Sequence, residues 1–178
     1  MDHWETILRE EAEVLKNKLL KYFRAEFMSL TKPHPIWSTC STNPYEVHKA
    51  VIQAKMLSGR YVTDQLSRHW TANKAGVCTI PGCTGQALGS LEHLLLLCPA
   101  LSDIRERVVE LWLKVASENK EIKEIIHSML YGQQVKTVMQ FLPDCSCFPE
   151  VVSLRQTSGL NLVTHLFYLT RSWCYSIE

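Results

Sequence analysis

A chain of 178 residues in which 46% of side chains are apolar is long enough for one substantial core or two small ones, which excludes a disordered tail. Its 19 Lys and Arg stand against 18 Asp and Glu, a net charge of +1, so no whole-chain field draws phosphate and any nucleic-acid contact must come from a local patch. Met1-Asp2-His3-Trp4-Glu5 lacks the basic-then-apolar pattern of a secretory signal and no stretch of about eighteen apolar residues occurs, so no membrane span or secretion is expected, and the seven cysteines belong in a reducing intracellular compartment, cytoplasm or nucleus, as free or metal-bound thiols.

Residues 5–30 carry Leu8, Ala12, Leu15, Leu19, Phe23, Phe27 and Leu30 at spacings of three and four, the stripe of an amphipathic helix. Glu10, Glu11 and Glu13 precede Lys16, Lys18, Lys21 and Arg24, the charge order that a helix dipole favours. A loop follows over 31–43, with Pro33 and Pro35. Asn43-Pro44-Tyr45-Glu46 then reads as a helix start: Asn43 caps, Pro44 needs no amide donor, and Glu46 can reach back. The helix runs to about Ser58, Gly59 offers a left-handed stop, and a shorter helix is expected over 61–70. Extended backbone is expected only around Cys78 and Cys83.

Beyond the cysteines, Ile104, Val108, Leu111, Trp112 and Val115 line one face of a helix over 101–115. Shorter helices are expected over 121–130 and 135–141, with Gly132 between them. Residues 142–159 hold Pro143, Pro149 and Gly159 and read mostly as loop, with room for one turn of helix. The apolar segment 160–176 is long enough for a helix buried against the first one. The fold class is therefore mostly α, a helical bundle with a small zinc-stapled turn or hairpin inserted. Three segments divide it: an N-terminal helical one over 1–55, a zinc-binding one over 56–113, and a C-terminal helical one over 114–178.

The chemistry concentrates between Cys78 and Cys98, where Cys78, Cys83, His93 and Cys98 stand in the order C-x4-C-x9-H-x4-C. Three thiolates and an imidazole suit one tetrahedral zinc ion, and four protein ligands leave no open coordination position, so the metal is expected to be structural. Pro81-Gly82 offers a tight turn before Cys83, and Gly85 an exit. Ser90-Leu91-Glu92-His93 reads as a capped helix start. His93 and Cys98 are five residues apart, about 140° around an ideal helix, so the helix must loosen or end before Cys98; Pro99 favours that. Cys145 and Cys147 have no companions to complete a second site, and Cys40 and Cys174 read as a loop and a core thiol. His34, His48, His69, His127 and His165 have no partner at a telling spacing. Asp144 and Glu150 are a weak carboxylate pair with no lysine following, and no glycine-rich phosphate loop occurs.

Taken together, Met56-Leu57-Ser58-Gly59-Arg60-Tyr61, Arg68-His69-Trp70, Cys78, Cys83 and Ser90-Leu91-Glu92-His93-Leu94-Leu95-Leu96-Leu97-Cys98-Pro99 resemble the zinc-binding region that follows the polymerase in non-LTR retrotransposon reverse transcriptases. The acid-His-four apolar-Cys-Pro run over 91–99 is the specific part, and the resemblance covers about 56–113. It implies zinc on Cys78, Cys83, His93 and Cys98, and neighbouring helices that help hold template RNA or target DNA. Arg60, Arg68 and Lys74 before the metal loop, with Arg105 and Arg107 after it, are the candidate phosphate contacts, the alternative being ordinary solvated cations; Tyr61, His69 and Trp70 are candidate base-stacking residues, with a core position the alternative for Trp70. No Tyr-x-Asp-Asp polymerase motif and no nuclease carboxylate cluster is present. The expectation is a non-catalytic accessory module that assists RNA or DNA binding, or else a protein-interaction module that packs on the missing polymerase domain or a host protein.

Overall fold

The computed structural model describes residues 6, 10, 32–69, 75–158 and 160–178. The helix expected over 5–30 therefore lies, apart from helical Thr6 and Glu10, outside the described residues, as do Trp70 and Lys74. Helices make up most of what is described, and no strand occurs there; one isolated antiparallel bridge joins Val77 to Leu88.

The first elements are α1 (Pro35–Ser38) and α2 (Pro44–Leu57). Asn43 caps α2 by accepting the Tyr45 N–H at 2.9 Å, and Pro44 occupies the first helical position. The helix ends as its glycine requires. Gly59 adopts φ 66°, its N–H meets the Met56 carbonyl at 3.2 Å, and the Arg60 N–H reaches back to the Lys55 carbonyl at 2.8 Å. Glu46 does not reach back to the cap. Its carboxylate meets the Lys49 ammonium at 3.0 Å and faces Arg171 at 3.9 Å, because two buried cations need it more than an exposed amide does. The helix expected over 61–70 is a single turn, α3 (Asp64–Ser67), capped by Thr63.

The helices α4 (Ser102–Glu118), α5 (Lys120–Leu130) and α6 (Val135–Phe141) follow the expected pattern. The stretch expected as loop over 142–159 does not. It contains a 3₁₀ turn at Cys145–Cys147 and the ten-residue helix α7 (Pro149–Ser158), which buries Val151 and Leu154. Pro149 sits at the first position of α7, where its missing N–H costs nothing, so it starts this helix instead of breaking it.

The last helix, α8 (Leu160–Tyr175), packs on α2, α4 and α7 and forms the middle of the main core. Residues from all three sequence segments meet there, among them Ile52, Met56, Trp112, Ile126, Phe141 and Phe167, each almost fully buried. The Trp112 indole N–H finds the Leu169 carbonyl at 3.1 Å, so the large ring is buried without an orphaned donor. Arg171 is 2% exposed and ties α8 to α1. Its guanidinium donates to the Ile36 carbonyl and to the hydroxyl and carbonyl of Thr39 at 3.1–3.2 Å. A second, smaller apolar cluster of Cys78, Leu94, Cys98 and Leu101 lies beside this core and shares Tyr61 and Ile177 with it.

Candidate metal centre

The local backbone explains how four distant ligands meet. Before Cys83, Pro81 and a positive-φ Gly82 (89°) form a turn closed by the Cys83 N–H on the Ile80 carbonyl at 3.0 Å, the Pro-Gly order of a type II turn. Gly85, at φ 66°, then redirects the chain. The two arms of the loop are held together by the Val77–Leu88 bridge, by Cys78 N–H on the Ala87 carbonyl, and by Gly89 N–H on the Gly76 carbonyl, both at 2.9 Å. Asp64 secures this loop from outside. One of its carboxylate oxygens accepts both the N–H and the hydroxyl of Thr79, at 2.9 and 3.0 Å. Position 89 must be glycine for the same reason: a Cβ there would stand 2.6 Å from that of Asp64.

Ser90 accepts the His93 N–H at 3.1 Å and so starts a helix. The expected loosening takes a definite form, a π turn over His93–Leu97 closed by the Cys98 N–H on the His93 carbonyl at 2.6 Å. That five-residue hydrogen bond brings His93 and Cys98 to the same side, which an α-helix would not do. Cys98 then leaves the helix in extended geometry, ψ 119°, as the following Pro99 demands.

The ligating atoms of Cys78, Cys83, His93 and Cys98 all lie within 4.8 Å of one another, and they form the only such group among the described residues. The Cys78 and Cys98 sulfurs are 3.9 Å apart, and the Cys83 sulfur is 3.4 Å from Nε2 of His93. A tetrahedral ion with metal–sulfur bonds near 2.3 Å and a metal–nitrogen bond near 2.0 Å would have edges of about 3.8 and 3.5 Å, so both separations fit. Cys78, His93 and Cys98 are buried, while Cys83 is partly exposed. A metal ion can be held here.

Burial pushes the Cys78 thiol up to about 11, against the Ile80 backbone amide, which favours the thiolate. Cys83 is held below the ordinary thiol value, chiefly by the Gly85 amide pointing at its sulfur. Backbone N–H groups aimed at two sulfurs are what a thiolate pair needs once a cation binds. Arg105 supports the third: its Nη2 donates to the Cys98 carbonyl at 2.5 Å.

The cations singled out in the sequence therefore divide. Arg60, Arg68 and Arg107 are exposed, and the stem of Arg68 lies against Gly76. Arg105 is partly buried and engaged on the metal loop. Of the proposed stacking residues, Tyr61 is packed against both apolar clusters, and burial together with the charge and hydrogen bond of Glu178 raises its hydroxyl well above the ordinary value. Tyr61 is thus partly buried, and His69 is exposed. Cys145 and Cys147 are buried and outside the ligand group; desolvation drives the Cys145 thiol well above its ordinary value, so it keeps its proton. His34, expected to have no partner, meets Asp144 at 3.2 Å.

No protein-family model, no curated protein and no solved structure matches this chain. No described helix is long and apolar enough to cross a membrane.

Proposed function

We propose that the chain is a zinc-stapled, non-catalytic module that helps a larger assembly hold single-stranded RNA or DNA, of the kind that follows the polymerase in non-LTR retrotransposon reverse transcriptases. The observation that carries this reading is the convergence of Cys78, Cys83, His93 and Cys98 on one point. Three sulfurs and one imidazole are the donor set of structural zinc, and four protein ligands complete its shell, leaving no position for substrate. When bound, zinc supplies a rigid cross-link between the Pro81-Gly82 turn and the π turn. The chain's own part is to carry exposed cations beside that cross-link.

Arg60, Arg68 and Arg107 are those cations. Three phosphate contacts on a single strand give a log–log salt slope of about −2. Filter binding of single-stranded RNA over a salt series tests this. Affinity that falls with that slope, and that is lost when Arg60, Arg68 and Arg107 are all changed to Gln, is expected; no retention at low salt overturns the nucleic-acid part.

One observation favours a second reading, packing on a neighbouring protein domain. Leu96, Val109 and Trp173 floor an open cleft of about 510 Å³ between the metal turn and α4, and nearby in sequence Leu97 is 59% exposed. Self-association or partner capture abolished by Leu97→Asp, with no affinity for nucleic acid, would decide for it.

A further inference from the structure

A second hollow shares no residue with the metal centre. Lys32, His34, Ser38, Ser146 and Arg155 line a concavity of about 230 Å³ where the approach to α1, the 3₁₀ turn and α7 come together. Among the described residues no carboxylate lines it, and neither Lys32 nor Arg155 forms an ion pair. In a chain whose charges almost cancel, two cations with no described acidic partner on one concave surface favour an anion there.

The walls are already built. The Ile36 N–H donates to Nδ1 of His34 at 3.2 Å, which leaves Nε2–H to donate to the Asp144 carboxylate at 3.2 Å. The other oxygen of Asp144 accepts the N–H and the hydroxyl of Ser146 at 3.1 and 2.6 Å. Asp144 is thus 5% exposed and consumed by its neighbours, while the ring and the turn it holds are fixed in place. Pro33 and Pro35 stiffen the opposite rim. The Ser38 hydroxyl makes no hydrogen bond among the described residues and is free to donate.

We propose that this hollow binds a phosphate monoester dianion. The Arg155 guanidinium presents a planar fork to two phosphate oxygens, the Lys32 ammonium neutralises the second charge, and Ser38 donates to a third oxygen. Val152 and the proline rings leave room for the carbon that bears the ester. The site depends neither on zinc nor on the Arg60, Arg68 and Arg107 surface, so it stands or falls separately.

Calorimetric titration of the full chain with inorganic phosphate and with glycerol phosphate tests it. Saturable one-to-one binding is expected, weakened about tenfold by Lys32→Gln or by Arg155→Gln, abolished by both together, and unchanged by Lys114→Gln, an exposed lysine elsewhere. Both test residues are exposed, so the fold survives their loss. An oligonucleotide preferred with a 5′-phosphate over a 5′-hydroxyl would assign the ligand to a nucleic-acid end, and no such preference would assign it to a small phosphate ester. Absence of saturation, or saturation undiminished in the double variant, would overturn the proposal.

Discussion

His34 and Asp144 show what a single residue's neighbours can hide from the sequence. They are 110 positions apart, and no spacing rule links a histidine in a proline-rich stretch to an acid beside two cysteines. Burial alone would raise the Asp144 carboxyl, but the hydrogen bond from His34, with the two bonds from Ser146, holds it below the ordinary carboxylate range. A carboxyl depressed in the folded state stabilises the fold above its unfolded value of about 3.9, and that contribution fades as pH falls through the lower folded value. Asp144→Ala should therefore cost about 1–3 kcal/mol near neutral pH. Urea unfolding of both proteins should show the gap narrowing below about pH 4; a gap independent of pH would mean that the ion is not what matters. The grouping of Cys78, Cys83, His93 and Cys98 as a set that could hold a metal was readable at this scale because they fall within twenty-one residues. Their supports were not. Asp64 and Arg105 are an ordinary acid and an ordinary arginine in the sequence, and only the fold brings one to Thr79 and the other to the Cys98 carbonyl.

Among the elements, the π turn over His93–Leu97 links the metal loop to the bundle. The five-residue step from His93 to Cys98 already required a departure from α geometry, and Pro99 marked where it had to end. What the count could not show is the consequence for Leu95. Its carbonyl would ordinarily meet the N–H four residues on, but that residue is Pro99, which has none. The Trp173 indole supplies the donor instead, at 3.2 Å, while its ring packs edge-on to Trp112 at 5.0 Å. Trp173→Phe keeps an aromatic ring against Trp112 but removes the donor together with part of the buried ring volume. It should destabilise the chain by about 1–3 kcal/mol in urea unfolding and weaken metal binding in competition with a chromophoric chelator, because the orphaned carbonyl lies within the ligand-bearing turn. Unchanged affinity for metal would show that the π turn does not need the bundle.

Across the whole molecule, the fold class was legible because α4, α5 and α6 carry apolar residues at strong helical spacing and α2 carries its own punctuation in Asn43, Pro44 and Gly59. The helix α7 was missed because two prolines and a glycine around it read as breakers, although Pro149 stands at the one position where proline favours a helix. The buried Arg171 was equally unreadable, since its partners, Ile36, Thr39 and Glu46, lie over a hundred residues earlier.

On the proposed reading, zinc fastens the small cluster of Cys78, Leu94, Cys98 and Leu101 beside this bundle. Structural zinc contributes on the order of 10 kcal/mol of binding free energy that is available only to the folded site. Metal analysis of the purified full chain, run beside thermal unfolding with and without chelator, tests that most directly. One zinc per chain is expected, lost in Cys98→Ser and His93→Ala, with chelator lowering the melting temperature of the parent and not of the variants. A metal-free chain that melts identically with and without chelator, its three thiols open to modification, would contradict the account.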